Sequence, residues 1–321
     1  MTNQKKKVTL ESTLKSADTE EFIDIYFYRP IGFQWALLFR RLSITPNPVT
    51  VASIFIGMGA GVFFYYEDLK TNIIGMLLLM LANSLDSADG QLARMTDNKS
   101  RLGRLLDGLA GSFWFIVIHV ALCLRLENQG FSPWIWVLGI ASGLSHMLQA
   151  QQADYYRNIH LYFIKGANGS EQDNSADLKI ELDKLSWKSH FWKKLPQAFY
   201  HNYTRQQEML SPALQKLMTV IRSRYKNNLP AWLVTEFREV HKPLMKYTNI
   251  VQFNTRVIFL FFCLFINKLW LYFLFDIFVL NGVMIYMIIK QEGISAYFYK
   301  KLMQQKDGEY QSAPRTNDTL I

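Results

Sequence analysis

The chain has 321 residues, half of them hydrophobic and 19% charged, with a formal net charge of +9. Its apolar residues are gathered into nearly uncharged blocks about as long as a bilayer is thick, which excludes an ordinary soluble domain. The two cysteines, Cys123 and Cys263, both lie inside apolar blocks and exclude a disulfide framework, and the positive charge reads as attraction to anionic lipid head groups rather than to nucleic acid.

Residues 1–27 are polar and lack the apolar core of a cleavable signal, so a loosely ordered N-terminal tail is expected there. Residues 28–43, YRPIGFQWALLFRRLS, mix aromatics, leucines and arginines, which predicts an amphipathic helix lying at the membrane interface. The run TPNPVT at 45–50 carries two prolines and starts the next helix. Six spans follow, at 49–66, 72–92, 103–125, 133–153, 249–266 and 269–289. Asn267 and Lys268 divide the last apolar stretch, which is too long for one crossing, into two.

The expected fold class is therefore all-α: an integral membrane protein with six transmembrane helices, an interfacial N-terminal helix and a helical insertion. Residues 28–153 hold the interfacial helix and spans 1–4. Residues 154–248 form the polar insertion, with amphipathic patches at 211–225 and 231–240 and a flexible loop at 165–177. Spans 5–6 occupy 249–303, and a polar tail follows at 304–321. Of the 35 Lys and Arg, only Lys70, Arg125 and Lys268 fall in the three short loops read as outside. The positive-inside rule then puts both termini, the 94–104 loop and the insertion in the cytoplasm.

The chemistry-bearing segment is NSLDSADGQLARMTDNKSRLGRLLDGLAGS, residues 83–112. Asp86 and Asp89 stand three apart near the inner end of the second span and share a helix face. Asp107 lies near the inner end of the third. An antiparallel helix pair joined by a short turn brings all three to the cytoplasmic edge of the bilayer. Carboxylates at that depth are costly unless paired or bound to a cation, and an oxygen-only donor set suits Mg2+ or Mn2+. The plainer reading, helix capping or pairing with Arg94 or Arg104, does not require the intervening glycine and Ala–Arg spacing. Gly90 opens the backbone to a ligand, Arg94 offers forked contacts to phosphate, and Gly103 lets the third span begin close to the second. Lys99, Arg101 and Arg104 make the connecting loop basic and attractive to an anionic substrate.

This pattern resembles the active-site motif of the CDP-alcohol phosphatidyltransferases, D-x2-D-G-x2-A-R-x8-G-x3-D-x3-D, with Asp86, Asp89, Gly90, Ala93, Arg94, Gly103 and Asp107 in register. Residues 45–47, TPN, also look like the family, and the resemblance covers about 40–155. It implies an enzyme of phospholipid biosynthesis. Asp86, Asp89 and Asp107 would hold two divalent ions, or one, and Gly90, Ala93, Arg94 and Gly103 would seat the CDP group. An acceptor hydroxyl would displace CMP from a CDP-linked donor, either CDP-diacylglycerol with a polar alcohol or a CDP-linked head group with a lipid alcohol. An inositol-lipid or sphingolipid head-group product is the favoured direction. Family members are often dimers, which makes a homodimer an expectation.

The family's final aspartate, a metal ligand and the proposed base, falls at Gly111 here. The candidate replacement bases are Asp154 and His146, with His119 more remote. For the histidines the plainer reading is a packing group, and for Asp154 a helix-end pair with Arg157. Arg256 is read either as holding an acceptor phosphate or as reaching lipid phosphates. A catalytically silent CDP-lipid-binding membrane protein is the alternative. A transporter is disfavoured, because few polar residues outside the motif could line a path.

Overall fold

The computed structural model describes residues 9–13, 16, 18–98, 101–166, 170, 173–226 and 228–304. The side chains of residues 12, 101, 102, 104, 105 and 107–109 lie outside the described set, as do the expected tails at 1–8 and 305–321 and the loop residue Lys99. The described residues are helical and contain no strand.

Helix α1 spans Arg29–Arg41, α2 Pro46–Phe63, α3 Leu69–Thr96, α4 Arg101–Asn128 and α5 Ile135–Lys165. Local chemistry sets these ends. Pro46 occupies the first turn of α2 behind an extended Thr45. The Asp68 carboxylate accepts the Thr71 N–H at 2.9 Å to cap α3. Asp97 ends that helix in the left-handed conformation, φ 51°.

Helices α2, α3 and α4 pack closely because glycines face bulky partners. A Cβ added at Gly57 would stand 2.3 Å from the Trp114 ring, and one at Gly61 would stand 3.0 Å from the backbone nitrogen of Ile118. The Trp114 indole in turn donates to the Ser53 carbonyl at 3.1 Å. Gly57→Ala is expected to lower stability by about 1–3 kcal/mol through overpacking. Gly59→Ala, where an added Cβ meets open space, should be silent. Thermal unfolding of the two variants in detergent checks the contrast.

The insertion supplies α6 (Ser175–Asp183), α7 (Phe191–Met209), α8 (Pro212–Tyr225) and α9 (Ala231–His241). They are followed by α10 (Met245–Ile250), α11 (Phe253–Phe265), α12 (Trp270–Leu274) and α13 (Asn281–Gln304), the last two joined by a π-helical turn at Phe275–Leu280. Five described segments are long and apolar enough to cross a membrane: Pro46–Phe63, Leu69–Thr96, Ala110–Asn128, Ala231–Phe265 and Trp270–Gln304. This fits a multi-pass integral membrane protein. The fourth expected span, 133–153, overlays the first part of α5 but is not among them. Its buried Ser142, His146, Gln149, Gln151 and Gln152 make it too polar to face lipid alone. Neighbouring helices partner several of these groups, while His146 Nδ1 and Gln152 Oε1 have no hydrogen-bond partner among the described residues. Gln149 donates to the Asp276 carbonyl at 2.9 Å, and Gln152 to the Ser211 hydroxyl at 2.9 Å.

Two main cores result. One fills the membrane bundle around Trp114, Phe115, Leu122, Leu260 and Phe273. The other lies between the far ends of α5 and α13 and the insertion, with Tyr156, Ile159, Phe163, Leu217, Phe237 and Phe298 buried together. Glu292 of α13 caps α8 there, accepting the N–H groups of Ala213 and Leu214. Helix α13 thus runs to Gln304, well past the expected span end at 289, because its extension is a wall of this second core. A smaller cluster of Ala36, Val49, Leu85, Ala88 and Leu92 seats α1 on α3.

Candidate active site

Asp86 and Asp89 lie one turn apart on α3, and Asp89 is only 3% exposed. Asp107 sits on the second turn of α4, and its side chain is outside the described residues, as are those of Arg101 and Arg104. Gly103 lies on the first turn of α4. Ala93 and Arg94 are half-buried on the last turns of α3. The space beside Gly90 is taken by the Arg94 guanidinium, whose nitrogens lie 3.4–3.5 Å from where a Cβ would stand. Arg94 Nε donates to the Thr13 carbonyl at 2.5 Å. One turn past Asp107, a Cβ at Gly111 would meet nothing within 4 Å among the described residues.

The N-terminal segment crosses this site. The Thr13 hydroxyl donates to Gln91 Oε1 at 3.4 Å, and Gln91 Nε2 donates to the Arg29 carbonyl at 3.0 Å and to Ser87 Oγ at 3.2 Å. Arg29 pairs with Glu20 at 2.9 Å. Asp18 pairs with Arg238 at 2.7 Å and Lys242 at 3.0 Å, and these cations hold its carboxyl well below the usual range. Glu21 and Asp24 share one amide donor, Asn254 Nδ2, at 2.7 and 3.0 Å. Burial pushes the Glu21 carboxyl up to about 7, with the neighbouring Asp24 charge adding to the rise. Sequence reading missed this docking. Its one signal was the acidic run Asp18, Glu20, Glu21 and Asp24 in a strongly basic chain.

The other candidates scatter. Asp154 Oδ2 accepts from Asn158 at 3.2 Å. His146 is buried with its ring 4.2 Å from Phe115, and its Nδ1 has no hydrogen-bond partner among the described residues. His119 contacts the Phe115 carbonyl at 2.7 Å and Ser142 Oγ at 3.0 Å, the geometry of a packing group. Arg256 is 0% exposed, pairs with Asp276, and donates to Gln149 Oε1 at 2.6 Å and the Val251 carbonyl at 2.8 Å, so its guanidinium is engaged inside the bundle. A counter-charge in the sixth span accounts for it.

Comparison with known proteins gives the same direction. The family model for CDP-alcohol phosphatidyltransferase matches residues 43–160. An uncharacterized protein of Aquifex aeolicus is 37% identical over 92 residues, 29% of this chain and 45% of that protein. A CDP-diacylglycerol–serine O-phosphatidyltransferase of Mycobacterium bovis is 36% identical over 98 residues, 30% of this chain and 33% of that one. A CDP-diacylglycerol–glycerol-3-phosphate 3-phosphatidyltransferase of Cereibacter sphaeroides is 30% identical over 91 residues, 28% of this chain and 40% of that one. The chain spans less than half the length of these curated relatives. The motif on α3 and α4 lies within the match, which begins just before α2 and ends in α5, and residues 43–160 are similar to the CDP-alcohol phosphatidyltransferase family.

Proposed function

We propose that this protein transfers a phospho-alcohol group from a CDP-linked donor to an acceptor alcohol, releasing CMP, in phospholipid head-group synthesis at the cytoplasmic face of the membrane. The observation that carries the reading is the pair Asp86 and Asp89 on one buried face of α3, followed by Asp107 on the second turn of α4, within the segment that matches the family. Carboxylate oxygens alone form this donor set, which fits Mg2+ or Mn2+. Asp86, Asp89 and Asp107 would hold the ion or ions, and the bound metal would supply charge neutralisation on the phosphate of the departing CMP.

The chain's own groups divide the remaining work. Arg94 stands over Gly90 at the end of the motif helix, where its guanidinium can fork to a donor phosphate once it leaves the Thr13 carbonyl. Gly90, Ala93 and Gly103 carry no side chain larger than a methyl, which leaves room for the nucleotide between the helices. The relatives named for CDP-diacylglycerol support that donor. The long insertion and Gly111 support a divergent product, an inositol-type or sphingolipid head group. Purified protein incubated with CDP-diacylglycerol or CDP-linked head groups, a panel of labelled alcohols and Mg2+ or Mn2+ is expected to release CMP. Absence of CMP with every pair would leave the silent CDP-lipid-binding protein as the reading.

A further inference from the structure

Helices α6 and α7 of the insertion meet at a corner whose outer side is aromatic. Trp187, Phe191 and Trp192 follow one another with ring centroids 6.1 and 5.3 Å apart, and Trp192 is 83% exposed. Phe199, 64% exposed, comes two turns later on the same face of α7. The corner is tied to the helix by Lys194, whose ammonium donates to the Leu185 carbonyl at 2.6 Å and stands 5.0 Å over the Trp187 ring. From Lys184 to Gln207 the chain holds five Lys and Arg and no Asp or Glu. Lys184, Lys188 and Lys193 are exposed among the aromatic residues of that stretch.

The fold brings this face to the membrane boundary. Helix α4 leaves the end of the bundle that carries Asp86 and Asp89, and α5 returns to it. Along α5 an exposed apolar stripe of Val137, Ile140, Leu144 and Met147 repeats at three and four residues, the face that lipid would cover. Its next member is Gln151, at the motif end of the expected span 133–153, and Gln151 is buried because α7 lies over it. Gln151 Nε2 donates to the Tyr203 carbonyl, and Gln207 Nε2 donates to the Gln151 carbonyl at 2.8 Å. The lipid-facing stripe of α5 therefore ends where α7 crosses it. Phe199 stands one turn, and Trp192 three turns, before Tyr203 on α7.

We propose that the α6–α7 corner and the exposed face of α7 form a docking surface for anionic phospholipid. Trp187, Phe191, Trp192 and Phe199 sit at the boundary of the acyl chains, and Lys184, Lys188 and Lys193 reach the phosphates. Exposed rings beside lysines, with no carboxylate among them, match a leaflet of negative head groups. Indole rings favour the boundary layer, and a lysine stem can lie along apolar surface while its ammonium stays with the head groups. A protein partner fits this face less well, since lysine is depleted at the centres of protein interfaces. The insertion is then held twice, through its buried core with α5 and α13 and through lipid.

Spin labels on Ser189→Cys and Phe199→Cys, in the full chain in nanodiscs, test the surface without any activity measurement. Both positions are exposed, and the label at 189 leaves every ring in place. With phosphatidylglycerol in the disc, both labels should be open to oxygen and shielded from a water-soluble nickel chelate. A label on Lys216→Cys, exposed on α8, should show the reverse. Changing Lys184, Lys188 and Lys193 to Gln should lower the ratio of docked to free label by about fivefold per lysine, roughly 100-fold for the three. Omitting phosphatidylglycerol should lower it in the same way, and Trp192→Ala should lower it at the 189 label. Three results would overturn the proposal. The labels at 189 and 199 could be as open to the nickel chelate as the one at 216. The ratio could be indifferent to phosphatidylglycerol and to the lysines. Shielding could arise only when two copies share a disc, which would give the face to a second copy.

Discussion

Asp89→Ala is expected to cut metal-dependent CMP release by about 10³-fold or more. The reasoning starts from burial: Asp89 is 3% exposed on a helix within a candidate span, where a carboxylate is costly unless a cation or another partner offsets it. On the proposed function, losing one of three carboxylates that would surround a divalent cation forfeits several kcal/mol of charge neutralisation, and each 1.36 kcal/mol is a factor of ten in rate. Two measurements check it together: CMP release, and the rise in melting temperature on adding Mg2+ or Mn2+, present in the wild type and absent in the variant. A variant that melts lower without metal and keeps its rate would make Asp89 a structural residue.

Asp276→Ala is expected to destabilise the membrane bundle by about 3–5 kcal/mol, because it strands the fully buried Arg256 guanidinium. Ser142 and His119 would feel the loss as well, since Ser142 Oγ donates to Asp276 Oδ2 at 2.9 Å and also contacts His119. Replacing both charges, with Arg256→Met added to Asp276→Leu, should recover much of the loss, since a well-packed apolar pair avoids the desolvation of two ions. Unfolding in detergent monitored by tryptophan fluorescence gives the comparison. If the single and double variants melt together, the pair carries no net coupling.

Most of the membrane architecture was legible because it rests on local composition. The expected spans at 49–66, 72–92 and 103–125 overlay α2, α3 and α4 apart from a few residues at each end. What local composition cannot express is shielding. Helix α5 carries Gln149 and Gln152 where a lone span would carry leucines, and only tertiary partners such as Asn281 and Ser211 explain them. The Arg256–Asp276 pair is invisible for the same reason, since twenty residues separate its members and each alone looks like an interfacial or stray charge. The family motif was readable from spacing, and the family match covers it. The role of the N-terminal segment was not, because Thr13 contributes only a backbone carbonyl to Arg94, and a main-chain acceptor leaves no trace in residue type.

The long insertion shares its hydrophobic interior with the far ends of α5 and α13. It is consequently no ornament that genetic excision could trim away. Splicing 166–241 out for a glycine tether would leave two greasy rods jutting from the bilayer, bare along the faces that Tyr156, Phe163 and Phe298 now line. A chimera grafting this insertion onto a shorter relative would meet the mirror-image difficulty and would need both rods transplanted with it.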